Sequence, residues 1–264
     1  MLGRRLRRLR ESAGLTLRGL AEQVDYPHTY ISRVERGEQL PSAALATALD
    51  THFGTDGLFA ELLEMAQDAS IPDWARVILG NEEKATRIQI FASSLIPGLL
   101  QTEEYSHALF RASLPGASEE KLSERVETRM RRKRVLNKDN PPFYWAIMDE
   151  AALKRPIGGS KCMRDQIAYM LEVSASAHIT IQVLPFARGE HPMLGGSLSL
   201  LTLPKGTSIG YVESFASGEA VDSQPRIVEL TQRFDIARSM ALPEQESVDL
   251  IHAYLREHAD EDDS

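Results

Sequence analysis

The chain has 264 residues, 42% hydrophobic and 26% charged, the balance of an ordinary globular protein with room for one or two domains. No apolar run reaches the roughly 18 residues of a membrane span, and the basic start MLGRRLRRLRESAG has no apolar stretch behind it, so no signal peptide is expected. One cysteine, Cys162, rules out an intramolecular disulfide and a thiolate metal site, and a cytoplasmic protein is expected. The net charge of −8 argues against a protein that coats nucleic acid over its whole surface, yet residues 1–36 hold eight arginines against four acids, +4 on a remainder of −12. A basic end on an acidic body suits a small phosphate-facing module attached to something with another task, although an arginine-rich solvated helix face would give the same count.

Leu2, Leu6 and Leu9 recur at helical spacing with arginines between them, and Gly14 ends that helix. Thr16 caps a second helix whose inner side is Leu17, Leu20, Ala21 and Val24. Asp25 and Tyr26 form a break. A third helix runs from about Pro27 to Glu35 with Ile31 and Val34 inward, and Gly37 stops it. Ser42, after Leu40-Pro41, caps a fourth helix through Leu45, Ala48, Leu49 and Phe53, and a fifth follows Gly54, from Leu58 to about Ala66. These five helices make a mostly α domain over 1–66, and the short pair joined by a tight turn reads as a helix-turn-helix.

Residues 67–80 read as a linker or connecting helix, broken at Ser70-Ile71-Pro72-Asp73-Trp74. Beyond it, helical stretches are expected at 82–92, 103–113, 118–137, 160–177, 223–240 and 244–257, and strands at 143–148, 178–184, 197–203 and 209–214. That pattern predicts an α+β domain over 81–256 with a small sheet, read as antiparallel because three strands fall close together. The final residues, 257–264, read as a solvated acidic tail.

The stretch GLTLRGLAEQVDYPHTYISRVERGEQLPS resembles the XRE, phage-repressor-like family. The resemblance rests on Gly14-Leu15-Thr16, Leu20-Ala21, Ile31-Ser32-Arg33-Val34-Glu35-Arg36-Gly37 and Pro41-Ser42. It implies that the third helix enters the major groove of double-stranded operator DNA, with the protein bound as a homodimer. Base contacts would then come from His28, Thr29 and Arg33, with the fork of Arg33 matching guanine O6 and N7. Thr16, Arg18, Tyr30, Ser32 and Arg36 would meet the DNA backbone. Arg10 and Glu35 match a pair that in this family forms an internal salt bridge. His28 could equally be a plain helix-start residue, and Tyr30 could pack against a neighbour. The chain departs from the family at Pro27, where a capping Ser or Thr is usual, at Gly19 inside the second helix, and at Leu17, where many relatives carry a phosphate-contacting Gln.

Further on, LIPGLLQTEEY (95–105), MDEAALKRPIGG (148–159), IQVLPF (181–186), Gly189 with His191, and YVES (211–214) resemble the antitoxin-like, Scr-type domain carried by WhiJ-like regulators of actinobacteria. That resemblance spans about 74–245 and implies a small protein partner encoded nearby. Arg125, Arg129 and Arg132 share one helical face, either as a docking surface or second DNA contact, or as a solvated face balanced by Glu124 and Glu127. LIPGLLQTEEY reads as a buried corner, with a partner groove as the alternative.

No catalytic, cofactor or metal motif stands out. There is no GxSxG, no HExxH and no phosphate loop with its lysine, and the seven histidines are scattered. Asp149 and Glu150 suit a helix start better than an acid/base pair. The expectation is a non-enzymatic, sequence-specific transcriptional regulator whose larger domain dimerises and senses a small protein. The alternatives are an antitoxin-like module that neutralises a cognate protein and autoregulates, and a small-molecule-responsive regulator.

Overall fold

The computed structural model describes residues 2–63, 79–214 and 218–262. The chain divides after Arg76 into two units. The first carries α1 (Leu2–Ser12), α2 (Leu17–Val24), α3 (His28–Arg36), α4 (Ala43–Phe53) and α5 (residues 58–63). One apolar core joins them, with Leu2 and Leu6 of α1, Leu20 and Val24 of α2, Ile31 and Val34 of α3, Leu45 and Leu49 of α4, and Phe59 of α5. Burial of such side chains, at about 1.5–3 kcal/mol each, holds together helices too short to be stable alone.

Two contacts set the geometry of this unit. A Cβ on Gly3 would strike the carbonyl oxygens of Val34 and, at 2.7 Å, Glu35, so only glycine lets α1 lie against the end of α3. The buried Asp50 carboxylate accepts the backbone N–H of Phe59 at 2.8 Å and of Ala60 at 3.0 Å, and the Thr55 hydroxyl at 2.5 Å, satisfying the otherwise orphaned N–H groups at the start of α5. The fifth helix was expected to reach Ala66; residues 64–66, and the expected linker up to residue 78, lie outside the described residues.

The second unit is built on one six-stranded sheet. Its strands are β1 (Arg87–Ala92), β2 (Phe143–Asp149), β3 (Ile179–Leu184), β4 (Ser197–Thr202), β5 (Ser208–Glu213) and β6 (Gly218–Val221). They lie in the order β3-β2-β1-β4-β5-β6. β1, β2 and β3 are parallel, while β4, β5 and β6 add antiparallel beyond β1. The sheet is therefore mixed and larger than the small antiparallel one expected. The reason lies in the crossovers. Between β1 and β2 run α6 (Glu103–Ser113) and α7 (Glu119–Arg132), followed by a 3-10 turn over Lys133–Asn137. Between β2 and β3 run α8 (Ala151–Lys154) and α9 (Ser160–Ser174). Helical crossovers of this length join parallel strands.

The segment 82–92, expected as a helix, holds the central strand β1. Its start, EEKAT, favours helix, and residues 79–82 are helical, but Ile88, Ile90 and Phe91 pair between β2 and β4. A strand covered on both faces loses the polar alternation that would reveal it. β6 has four residues and no usable period, so it was not expected.

One face of the sheet, through Ile88, Tyr144, Ala146, Met148, Ile181 and Val183, packs with Met163, Ile167 and Met170 of α9 and with Ile251 and Tyr254 of α11 (Glu244–Asp262). The other face, through Phe91, Ile147, Leu184, Leu198 and Leu200, packs with Ile227, Phe234 and Ala237 of α10 (Gln224–Met240). The segment expected as a free acidic tail from Glu257 continues α11 to Asp262. Glu257 pairs with Lys154, and His258 is buried with Nε2 3.0 Å from the Leu153 carbonyl. Among the described residues, no helix is long and apolar enough to cross a membrane, and no group of three His, Cys, Asp or Glu is placed to hold a metal ion.

Candidate nucleic-acid interface

The site begins with two helix ends. Thr16 opens α2 by accepting the Gly19 N–H at 3.0 Å, and Asp25 closes it in the left-handed conformation at φ 57°, which an aspartate tolerates better than most residues. The chain then turns through Tyr26 and Pro27 into α3. Pro27 gives no side-chain cap; its fixed φ of −58° sets the entry instead, so α3 begins at His28, one residue later than expected. Gly37, at φ 73°, ends α3.

Ile31 and Val34 are fully inside the core, and they fix the rotation of α3. His28, Thr29, Arg33 and Arg36 are thereby exposed, and Ser32 is half-buried. Arg18, in the first turn of α2, and Thr16 are also exposed. The first turn of α2 and one face of α3 thus offer guanidinium, imidazole and hydroxyl groups to solvent.

Several of the expected residues have well-defined partners within the unit. Arg10 donates from Nε at 2.6 Å and Nη2 at 2.8 Å to the two oxygens of Glu35, and from Nη1 at 2.9 Å to the Leu15 carbonyl. Hydrogen bonding to Glu35 raises the guanidinium pKa further above its ordinary value. This fork-to-carboxylate bridge ties α1, the start of the α2 segment and α3 into one piece. The Tyr30 hydroxyl accepts the Ser42 N–H at 2.7 Å, and its ring lies 6.0 Å from that of Tyr26, so Tyr30 braces the loop entering α4. Arg36 is bonded to Ser32 and, at 2.6 and 2.8 Å, to Glu38, and the pair holds the Glu38 carboxyl below its usual pKa. Reaching a phosphate would require Arg36 to leave Glu38. Gly3, which sequence reasoning passed over, matters as much as any of these, and a glycine two turns ahead of Arg10 on an otherwise leucine- and arginine-rich helix was its one signal.

In the second unit the three arginines of α7 do not form an open patch. Arg129 donates to Gln101 Oε1 at 2.6 Å and lies 4.7 Å from the Phe110 ring centroid; burial lowers its pKa to about 10, which leaves it charged at neutral pH. Arg132 grips Glu82, itself buried, at 2.8 and 3.0 Å. Arg125 is half-buried. Two of the three are therefore committed to holding α7 against the residues around β1. The LIPGLLQTEEY segment is a buried corner: Ile96, Leu99, Leu100 and Tyr105 are inside, and Gln101 Nε2 closes the turn on the Ile96 carbonyl at 2.6 Å.

Comparison with known proteins agrees with this division. Residues 1–62 match a helix-turn-helix domain, the DNA-binding unit just described. Residues 75–253 match a domain of unknown function, DUF5753. No curated protein and no solved structure matches the chain. Since the second match covers more than half of its length, the chain belongs to the DUF5753 family, carried here behind an N-terminal helix-turn-helix domain.

Proposed function

We propose that the protein is a cytoplasmic, sequence-specific transcriptional regulator, without enzymatic activity, that binds operator DNA as a homodimer and whose larger unit receives a small protein partner. One observation carries the DNA-reading part. The core residues Ile31 and Val34 leave His28, Thr29 and Arg33 together on the exposed side of α3, while the Arg10–Glu35 bridge holds that helix rigidly against α1. Arg33 is the guanine reader, His28 and Thr29 contact neighbouring bases, and Arg18 with Thr16 grips phosphate. A dimer would place two such helices about 34 Å apart, one turn of DNA.

The resemblance to WhiJ-like regulators supports the partner-sensing role of the second unit. The contacts of Arg129 with Gln101 and of Arg132 with Glu82 weigh against those two as its docking surface. Selection of bound duplexes from a random pool tests the proposal. Recovery of one motif in two similar halves supports it, and recovery of unrelated sequences rejects it. Co-purification from the native cells tests the partner role: a small protein held in fixed ratio supports it, and its absence shifts the second unit to a different signal.

A further inference from the structure

α1 carries five arginines, and they fall into two groups. Arg7 is paired with Glu11 at 2.8 Å, and Arg10 is bound to Glu35. Arg4, Arg5 and Arg8 are exposed and have no ion-pair partner among the described residues. These same three arginines line an open cleft of about 370 Å³, whose other wall, among the described residues, is Leu58 and Leu62 of α5. The two leucines are four residues apart, so they stand one above the other on a single helical face. Both are half-buried, and a buried carboxylate, Asp50, holds the start of the helix that presents them.

We infer that this cleft is a second binding surface, and that it takes an acidic amphipathic helix of a partner protein. The apolar wall would receive the leucine-like side of such a helix, and the three guanidinium groups would pair with carboxylates along its edge. A volume of about 370 Å³ lies at the lower end of ordinary ligand clefts, enough for a few apolar side chains and too open to enclose a small molecule.

DNA is the competing polyanion, and two observations weigh against it. Phosphate gains nothing from Leu58 and Leu62. The cleft also lies on the wrong flank of α1. The flank that packs on α3 is marked by Gly3 and Arg10, and at about 100° per residue Arg4, Arg5 and Arg8 centre roughly 150° round the helix from it. The proposal goes beyond the operator-binding reading, and it is measured without DNA.

The test uses the full-length protein and two labelled synthetic helical peptides of equal negative charge. One carries leucines four residues apart on one face, and the other carries glutamines there. Fluorescence anisotropy is expected to show saturable one-to-one binding of the leucine peptide and much weaker binding of the glutamine peptide. Arg4→Gln/Arg5→Gln/Arg8→Gln should weaken the leucine peptide about tenfold, as three exposed charge pairs would. Leu58→Gln, at a residue outside the main core cluster, should weaken the leucine peptide and leave the glutamine peptide unchanged. Circular dichroism checks that both variants remain folded. Equal binding of the two peptides, or no loss in the triple variant, overturns the proposal. So does a fall of about 2.7 in the salt slope of operator binding in the triple variant, because that would assign the three arginines to phosphates. Failure of operator binding itself would reject the regulator reading and leave the peptide result standing.

Discussion

Replacing Arg10 by methionine isolates the contact that ties α3 to α1. Glu35 is only 6% exposed and Arg10 11%, so removing the guanidinium strands a carboxylate in the interior of the unit. Breaking one side of such a pair costs about 3–5 kcal/mol. A unit of some sixty residues has a total stability of roughly 3–9 kcal/mol at ordinary values per residue. The single substitution therefore removes a third or more of it. Arg10→Met/Glu35→Leu removes both charges together and should recover most of the loss, because an apolar pair of similar size avoids the desolvation penalty. Hydrogen exchange in the full chain separates this unit from the second. Amides of α1 and α3 in Arg10→Met should exchange about a hundredfold or more faster, those of the sheet unit should be unchanged, and the double variant should return towards wild type. A change below about fivefold, or a double variant as labile as the single one, would refute the reasoning that the bridge holds α3 in place.

Gly3→Ala should destabilise the first unit by about 1–3 kcal/mol, since the new methyl meets backbone oxygens that cannot rotate away; thermal unfolding read on α1 checks it. Tyr30→Phe leaves the Ser42 N–H without its acceptor and should cost on the order of 1 kcal/mol, with faster exchange at Ser42 and little effect in α2. Tyr144→Phe should leave the sheet unit as stable as before or raise it by about 1 kcal/mol, because this fully buried hydroxyl has no hydrogen-bond partner among the described residues; a clear loss in urea unfolding would show that the hydroxyl is satisfied.

The first unit was legible because its signals are local. Thr16 and Ser42 cap helices, Gly37 stops one, and the 3.6-residue spacing of Leu20, Val24, Ile31 and Val34 marks the core. What stayed hidden there was contact between helices: Gly3 against the end of α3, and Asp50 capping α5 from nine residues upstream. In the second unit most helices and four of six strands were readable within a few residues. The parallel half of the sheet was not, since recognising it required β1, whose charged lead-in favours helix and whose strand character comes from neighbours 50 or more residues away. Side-chain roles were harder still. Spacing put Arg125, Arg129 and Arg132 on one face, but only the fold shows that Gln101, Phe110 and Glu82 occupy two of them. Likewise, the sequence showed a run of arginines in α1 without showing which of them are already paired.

The central claim, that α3 reads base edges while the helix before it grips phosphate, is tested most directly by titrating Arg33→Ala and Arg18→Ala against the selected operator and a random duplex over a range of salt. Arg33→Ala should lose about 1–3 kcal/mol on the operator and almost nothing on random DNA. Arg18→Ala should weaken both alike and lower the salt slope by about one. Equal losses on both duplexes for Arg33→Ala, or wild-type affinity for the operator, would contradict the account.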